Sequence, residues 1–129
     1  MKLLLDTHVF IWAAAEPARL PGTLRTAIEA AENEVFLSAA SVWEIAIKQA
    51  LGRISFPLDE LASLLQTMEI VELPIAMAHG IAAGALPRLH DDPFDRMLIA
   101  QAQCENLQLA TVDAAVRRYD VVLFGAKSA

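Results

Sequence analysis

The sequence predicts an α/β domain built on a central parallel sheet of four to five strands, with helices on both faces. Short apolar runs that fit buried strands alternate along the 129 residues with segments of helical periodicity. This alternation is typical of parallel sheets, because each crossover helix packs on a face of the sheet. The length suits one domain, and a hydrophobic content of 56% is ample for its core. We therefore expect residues 1–129 to fold as a single domain.

Five strands are predicted, in chain order, from apolar runs that are too short to favour helices. The first, from Lys2 to Leu5, is continuously apolar after its lysine, which fits a strand buried on both faces. The others are expected at residues 35–37, 69–73, 107–112 and 121–124. Pro74 ends the third strand, since proline cannot donate to a strand ladder. Residues 126–129 are expected to form a loose tail.

Helices are predicted between the strands from apolar periodicity and from residues that begin or end helices. A long helix is expected to begin at Ser38 or Ser41 and to end before Gly52, which fits the position after a helix. The helix from residue 93 to residue 105 has the strongest pattern, with Asp92 as N-cap and Pro93 in the first helical position. The other helices are expected at residues 7–15, 23–31, 58–67, 75–85 and 114–118.

Charge and composition exclude several classes of protein. A net charge of −6 argues against a broad basic face that wraps nucleic acid, but bound cations could invert the local field, so a nuclease is still allowed. The one cysteine, Cys104, excludes an intramolecular disulfide framework and suits the reducing cytosol; it is expected to be buried. Asp6 and His8 interrupt the N-terminal apolar run, so no tract approaches the ~20 residues of a membrane span. We expect a cytoplasmic protein without a membrane partner.

Four acids stand out by their positions in the predicted elements. Asp6 ends the first strand, Asp113 ends the fourth, and Glu44 and Asp95 lie in the first turns of helices. Ligands of open parallel sheets bind outside the carboxyl ends of the strands, so these acids could converge. Each also has an alternative as a helix cap: Asp6 and Asp113 as N-caps, Glu44 in a capping box with Ser41, and Asp95 as a first-turn acid.

The absence of other motifs favours a site made of oxygen ligands. The chain has no glycine-rich phosphate loop, no HExxH and no CxxC. Several carboxylates at one point repel each other unless a hard cation lies among them. Carboxylates and water suit Mg²⁺ or Mn²⁺. We therefore expect one or two such ions.

Four sequence blocks resemble those of a known family. LLLDTHVFIW, LSAASVWEIAIKQALGRI, LPRLHDDPFDRMLIAQA and LQLATVD are similar, in this order, to the PIN-domain family and more narrowly to VapC-type toxins of bacterial toxin–antitoxin pairs. The resemblance covers nearly the whole chain. It implies a PIN-like fold and a metal-dependent endoribonuclease with an RNA substrate, a cognate antitoxin protein and a homodimeric state.

The resemblance also implies which residues act. Carried over position by position, the catalytic and metal-binding acids are Asp6, Glu44, Asp95 and Asp113, which would hold a metal-activated water that attacks the phosphodiester. Asp91 stands where such toxins often carry a basic residue.

Three further residues are secondary candidates. Thr7 and Thr111 adjoin or nearly adjoin two of the acids, so their hydroxyls could orient a ligand carboxylate or could make local backbone hydrogen bonds. Arg96 could contact a phosphate or could pair with a nearby acid.

The histidines and tryptophans are expected to have ordinary roles. No metal-ligand spacing links the three histidines, His8, His79 and His90. Trp12 and Trp43 fit a core or an interface better than base-stacking platforms, although with Phe10 they could form a groove for a partner helix.

Two other functions compete with the nuclease. One is a catalytically inactive PIN-like binding module, which the presence of all four acids argues against. The other is a receiver-type signalling domain, which needs a phospho-acceptor aspartate after the third strand, where Pro74 and Ile75 stand. A haloacid-dehalogenase-type phosphatase would need DxD after the first strand, where DTH stands.

Overall fold

The computed structural model describes residues 1–124, apart from the side chain of Arg117, and contains one sheet of four parallel strands. The strands are β1 (Lys2–Leu5), β2 (Glu34–Ser38), β3 (Ile70–Leu73) and β4 (Gln108–Ala110). They lie in the order β3-β2-β1-β4, so β1 occupies the interior of the sheet. This arrangement confirms the predicted α/β class. The tail predicted at residues 126–129 lies outside the described residues.

Within residues 1–124, six α-helices connect and flank the strands, and all of them were predicted to within a few residues. Short 3₁₀ turns lie at Pro17–Arg19, Leu58–Glu60 and Ala114–Arg118. None of the helices in the described part of the chain is both long and apolar enough to cross a membrane. The helices are α1 (Thr7–Ala15), α2 (Gly22–Glu29), α3 (Ala39–Ala50), α4 (Leu61–Met68), α5 (Met77–Ala85) and α6 (Pro93–Glu105).

The interior strand β1 is buried on both faces, as its continuous apolar run predicts. Leu3 and Leu5 pack into one core cluster with Phe10 of α1, while Leu4 packs into the opposite cluster with Leu98 of α6. All three leucines have no exposed surface. Helices therefore cover both sides of the sheet, and burial of each leucine contributes about 1.5–3 kcal/mol to stability.

The predicted fifth strand is reduced to a single bridge. Leu109 pairs in parallel with Leu123, and its backbone exchanges hydrogen bonds of 2.8 Å with Val122 and 3.0 Å with Phe124. β4 is only three residues long, so it offers a short edge on which a neighbouring strand can form. Val122 also keeps 65% of its surface exposed, which gives that segment little apolar burial to hold it.

The long helix α3 begins after Ser38, and the capping box predicted for Ser41 and Glu44 is wrong. The Ser38 hydroxyl accepts a hydrogen bond of 3.0 Å from the Ala40 amide, as an N-cap does. Ser41 and Glu44 lie inside the helix and are buried. At its other end Gly52 has a φ of 73°, which fits the predicted residue after the helix.

Two smaller expectations about burial are also wrong. Cys104 is exposed on α6 rather than buried. Phe10 belongs wholly to the core, so it cannot join Trp12 and Trp43 in a groove for a partner helix. Trp12 packs against the same core, whereas Trp43 is 62% exposed and meets the Phe94 ring edge-on at 5.3 Å between centroids.

Candidate metal centre

The four predicted acids come from four different parts of the fold and meet at the carboxyl edge of the sheet. Asp6 directly follows β1 and Asp113 lies three residues after β4, and these two strands are neighbours. Glu44 lies in the second turn of α3 and Asp95 in the first turn of α6. Hydrogen bonds through two threonines connect Glu44 to Asp6 and Asp6 to Asp113.

Asp6 is buried and held by donors on both of its carboxylate oxygens. Oδ1 accepts a hydrogen bond of 2.7 Å from the Thr7 amide, and Oδ2 accepts one of 2.6 Å from the Thr111 hydroxyl. Burial raises the pKa of Asp6 above its usual range, and the hydrogen bonds from Thr111 and Thr7 oppose that shift. Asp6 therefore caps α1 and also presents a fixed carboxylate at the sheet edge.

Thr111 connects the acids that follow the two neighbouring strands. Its hydroxyl donates to Asp6 and accepts a hydrogen bond of 3.0 Å from the Asp113 amide. Asp113 in turn accepts a hydrogen bond of 2.9 Å from the Ala115 amide, so it caps the last 3₁₀ turn, and it remains exposed. Thr111 thus orients a carboxylate and makes a local backbone hydrogen bond, which were its two predicted alternatives.

Glu44 is buried beside Thr7 and has a positively charged partner. Its Oε1 accepts a hydrogen bond of 2.7 Å from the Thr7 hydroxyl, which also lies 3.0 Å from the Ser41 hydroxyl. Its Oε2 lies 2.6 Å from the ammonium group of Lys48, one helical turn further along α3. Sequence reasoning missed Lys48, although its i,i+4 spacing from Glu44 is a recognisable signal.

Asp95 is positioned by the predicted start of α6. The Asp92 carboxylate accepts hydrogen bonds of 2.9 Å from the Phe94 amide and 3.3 Å from the Asp95 amide, and Pro93 occupies the first helical position. Burial raises the pKa of Asp95 from 3.8 to about 6, and repulsion from Asp6, Asp92 and Asp113 adds to the shift. Negative charge is therefore concentrated here without full compensation. Asp91, in contrast, is exposed.

His90 lies beside these acids, although sequence spacing gave no reason to place it there. Its Nε2 lies 2.8 Å from Asp95 Oδ2, and this hydrogen bond is the main reason that its pKa is raised. His90, Asp95 and Asp113 each offer a ligand atom within 4.8 Å of the others. Sequence spacing could not reveal this, because the loop before α6 and the end of β4 meet only in the fold.

Arg96 holds the backbone next to the site. Its guanidinium lies 3.3 Å from the Tyr119 hydroxyl and 3.4 Å from the His90 carbonyl oxygen. Within residues 1–124 no carboxylate lies at ion-pair distance from it, so the predicted pairing with an acid is wrong. Arg96 also donates, at 2.9–3.0 Å, to the carbonyl oxygens of Ala83, Leu86 and Pro87. With these contacts both terminal nitrogens of Arg96 are engaged, and the alternative of a phosphate contact is left unsupported.

The other two histidines match the expectation of ordinary roles. His79 is buried, accepts a hydrogen bond of 2.9 Å from the Ala76 amide and lies 3.3 Å from Glu105. His8 is exposed, and its ring lies near the Trp12 ring in a tilted orientation.

The donor chemistry of the cluster fits a divalent cation. Three aspartates, Asp6, Asp95 and Asp113, supply carboxylate oxygens, and burial raises the pKa of Asp6 and Asp95, so their charged forms are costly without a cation. A cation among them would remove both the repulsion and the desolvation cost.

Fold and site together define a class: a four-stranded parallel α/β domain with acids gathered at the carboxyl edge of the sheet. Residues 3–122 match the family model described as PIN domain. The chain is also 35% identical over 119 residues, 91% of each sequence, to Ribonuclease VapC22 of Mycobacterium tuberculosis. It belongs to the PIN-domain family.

Two solved structures share the fold at low sequence identity. The structure of VapBC2 from Rickettsia felis bound to a DNA fragment from their promoter has a TM-score of 0.70 at 16% identity. The structure of FitAcB from Neisseria gonorrhoeae has a TM-score of 0.57 at 21% identity. Each match covers 95% of this chain and 96% of the other.

Family membership and topology exclude the receiver-type alternative. The sheet order β3-β2-β1-β4 differs from the order 2-1-3-4-5 of receiver-like folds. Pro74 follows β3 where a receiver carries its phospho-acceptor aspartate.

Proposed function

We propose that this chain is a metal-dependent endoribonuclease, a hydrolase of phosphodiester bonds, that acts as the toxin of a toxin–antitoxin pair. The observation that carries the proposal is the gathering of four acids from β1, α3, α6 and β4 at one edge of the sheet. The relative named Ribonuclease VapC22 supports RNA as the substrate. The presence of all four acids argues against the competing proposal, a binding module without activity.

In this proposal Asp6, Asp95 and Asp113 hold one or two Mg²⁺ or Mn²⁺ ions. A divalent cation held there would supply Lewis acidity: it would lower the pKa of a coordinated water and would offset charge that develops on the phosphate. Asp6 is kept in one orientation by Thr111, and Asp95 is kept in the first turn of α6 by the Asp92 cap. The chain thus fixes its own donors before any substrate arrives.

Glu44 has a different part in the proposal. Both of its oxygens already have donors, Thr7 and Lys48, so it acts on the centre through ordered water rather than as an innermost ligand. Each carboxylate oxygen keeps a second lone pair that can accept from such a water. Lys48 offsets the Glu44 charge, which limits the repulsion that Asp6 experiences.

An antitoxin protein is the proposed partner, and an apolar groove supports it. The groove lies between α3 and α4, has a volume of about 520 Å³, and includes Trp43 in its wall. Its apolar lining suits the apolar face of a partner helix. The other lining residues include Leu37, Val42, Ala46, Leu61 and Leu65.

We further propose a homodimer, a cytoplasmic location and a single PIN domain. Exposed apolar side chains around the start of α5 support association with a second copy, because monomers rarely leave such a group uncovered. These are Ile75, Met77 and Ile81, with 42%, 86% and 73% of their surfaces exposed.

Two asparagine variants test the nuclease proposal. Asn caps helices about as well as Asp but is a poor metal ligand, so Asp6→Asn and Asp95→Asn should keep the fold and lose RNA cleavage. The removal of an innermost ligand should reduce the rate at least about 100-fold, by analogy with other preorganised charge stabilisers. Cleavage of labelled RNA with added Mg²⁺ or Mn²⁺ and circular dichroism melting measure the two properties.

Asp92→Asn is the matched control, because Asp92 caps α6 in the same segment and its replacement should leave cleavage intact. Normal cleavage by both site variants would contradict the proposal. Absence of cleavage by the unmodified chain with either metal, together with no stabilisation by the metals, would favour the binding module.

A further inference from the structure

Among the described residues, His90 supplies the one nitrogen ligand atom in the cluster that it forms with Asp95 and Asp113. We propose that His90 is a direct ligand of the divalent cation, alongside Asp95 and Asp113, and that it shifts the preference of the centre from Mg²⁺ toward Mn²⁺. The inference rests on the proposed metal-dependent function and names a residue that the four-acid pattern does not contain.

The distances suit ligands of one ion. His90 Nε2 and Asp95 Oδ2 lie 2.8 Å apart, and both lie within 4.8 Å of an oxygen of Asp113. Neighbouring ligands of an octahedral ion with bonds of about 2.1 Å lie about 3 Å apart. A cation can therefore replace the hydrogen bond between His90 and Asp95 with little movement of either side chain.

The backbone of His90 is fixed as a ligand requires. Its carbonyl oxygen accepts a hydrogen bond of 3.2 Å from the buried Tyr119 hydroxyl and lies 3.4 Å from Arg96. Arg96 in turn holds the end of α5 and the loop after it through three further carbonyl oxygens. Two separate elements thus fix the backbone of this loop residue, which restricts the positions that its imidazole can take.

The chemistry of the donor gives the metal preference. Carboxylate and water ligands suit Mg²⁺ and Mn²⁺ alike, but imidazole suits transition metals and is a poor partner for Mg²⁺. Removal of His90 should therefore weaken Mn²⁺ binding at least about tenfold and change Mg²⁺ binding much less.

The competing role for His90 is to hold the Asp95 carboxylate without touching the ion. A nitrogen-sensitive signal separates the two roles, because only a bonded imidazole couples its nitrogen to the unpaired electrons of Mn²⁺. Electron spin echo spectroscopy on the full chain loaded with Mn²⁺, with and without ¹⁵N-histidine, measures that coupling. The proposal predicts a histidine nitrogen coupling that changes with the isotope.

Three variants complete the test. His90→Ala and His90→Gln should both bind Mn²⁺ more weakly and lose the coupling; glutamine keeps hydrogen-bonding capacity and guards against a folding defect in the alanine variant. His8→Asn, which removes the exposed histidine near Asp6, should keep the coupling. Calorimetric titrations with Mn²⁺ and with Mg²⁺ give the change in preference.

The outcomes separate this inference from the function on which it rests. If Mn²⁺ binds the wild type but not Asp95→Asn, and shows no nitrogen coupling, the proposed role of His90 is overturned. The proposed metal centre is then retained. A coupling that persists in both His90 variants would also overturn the role of His90. No Mn²⁺ binding by the wild type would overturn the metal centre itself.

Discussion

At the scale of single residues, two aspartates combine a helix-capping role with a place in the proposed metal site, which were alternatives in the sequence. Asp6 and Asp113 accept hydrogen bonds from helix-start amides, as predicted caps, and they also stand at neighbouring strand ends as predicted site residues. Position in the predicted elements singled out the four acids that the structure brings to one edge of the sheet, and their role as metal ligands stays a prediction. Sequence reasoning missed His90 and Lys48, because each is linked to an acid by one close contact. The contact of His90 with Asp95 is visible only in the fold, whereas helical spacing indicates the contact of Lys48 with Glu44.

The raised pKa of Asp95 predicts an unusual dependence of stability on pH. Without metal, the unfolded chain releases this proton near pH 4, whereas the folded chain keeps it to about pH 6. The folded state therefore binds more protons in that window, and this carboxyl makes the unfolding free energy fall as pH rises. Asp95→Asn should be more stable than the wild type by about 1–3 kcal/mol at pH 7, and the difference should vanish near pH 4.

Denaturant unfolding in a chelator at the two pH values measures this difference. Asp59→Asn, which changes an exposed aspartate elsewhere, should show no comparable gain. An equal effect of Asp95→Asn at pH 4 and pH 7 would show that the Asp95 charge is not the cause.

At the scale of elements, the positions at which α3 and α6 begin determine where their acids lie. α6 begins as its Asp92-Pro93 pair predicts, and this places Asp95 in the first turn. α3 was harder to predict, because Ser38 and Ser41 both satisfy the sequence criteria for an N-cap. Burial of Ser41 against Thr7 decides between them, and that contact spans 34 residues of sequence, so no local pattern contains it.

Asp92→Ala tests whether the cap of α6 positions the ligand. The change leaves two helix-start amides without their acceptor, so stability should fall by about 1 kcal/mol. Metal-dependent RNA cleavage should also fall, since Asp95 loses its fixed turn, whereas Asp92→Asn should preserve both properties. Thermal melts and cleavage rates of the two variants measure this. Full activity in the alanine variant would mean that the cap serves stability alone.

At the scale of the whole molecule, the α/β class and nearly all element bounds could be predicted, but the strand order and the edge at β4 could not. Apolar runs identify strands because buried segments need apolar side chains, whatever their neighbours are. The neighbours of β1 are set by pairing between residues far apart in sequence, such as Leu3 with Val35 and with Gln108. The same limit explains why residues 121–124, apolar enough for a strand, make one bridge only.

The exposed apolar group on and before α5 predicts the association state. Met77→Glu combined with Ile81→Glu should convert a homodimer into a monomer, because burial of charge at an interface opposes association. Light scattering coupled to size-exclusion chromatography gives the mass directly. Val122→Glu, which changes an apolar residue of similar exposure away from α5, should leave the mass unchanged. A monomeric wild type would contradict the proposed dimer.

The most direct test of the central proposal, a divalent cation held by the acids at the sheet edge, is anomalous X-ray diffraction from crystals that contain Mn²⁺. We predict a manganese peak at about 2.2 Å from carboxylate oxygens of Asp95 and Asp113, with Asp6 in the same cluster and His90 Nε2 bonded to the ion. Asp95→Asn crystals should lack the peak. A fully occupied Mn²⁺ elsewhere on the chain, with this cluster empty at saturating metal, would contradict the proposal.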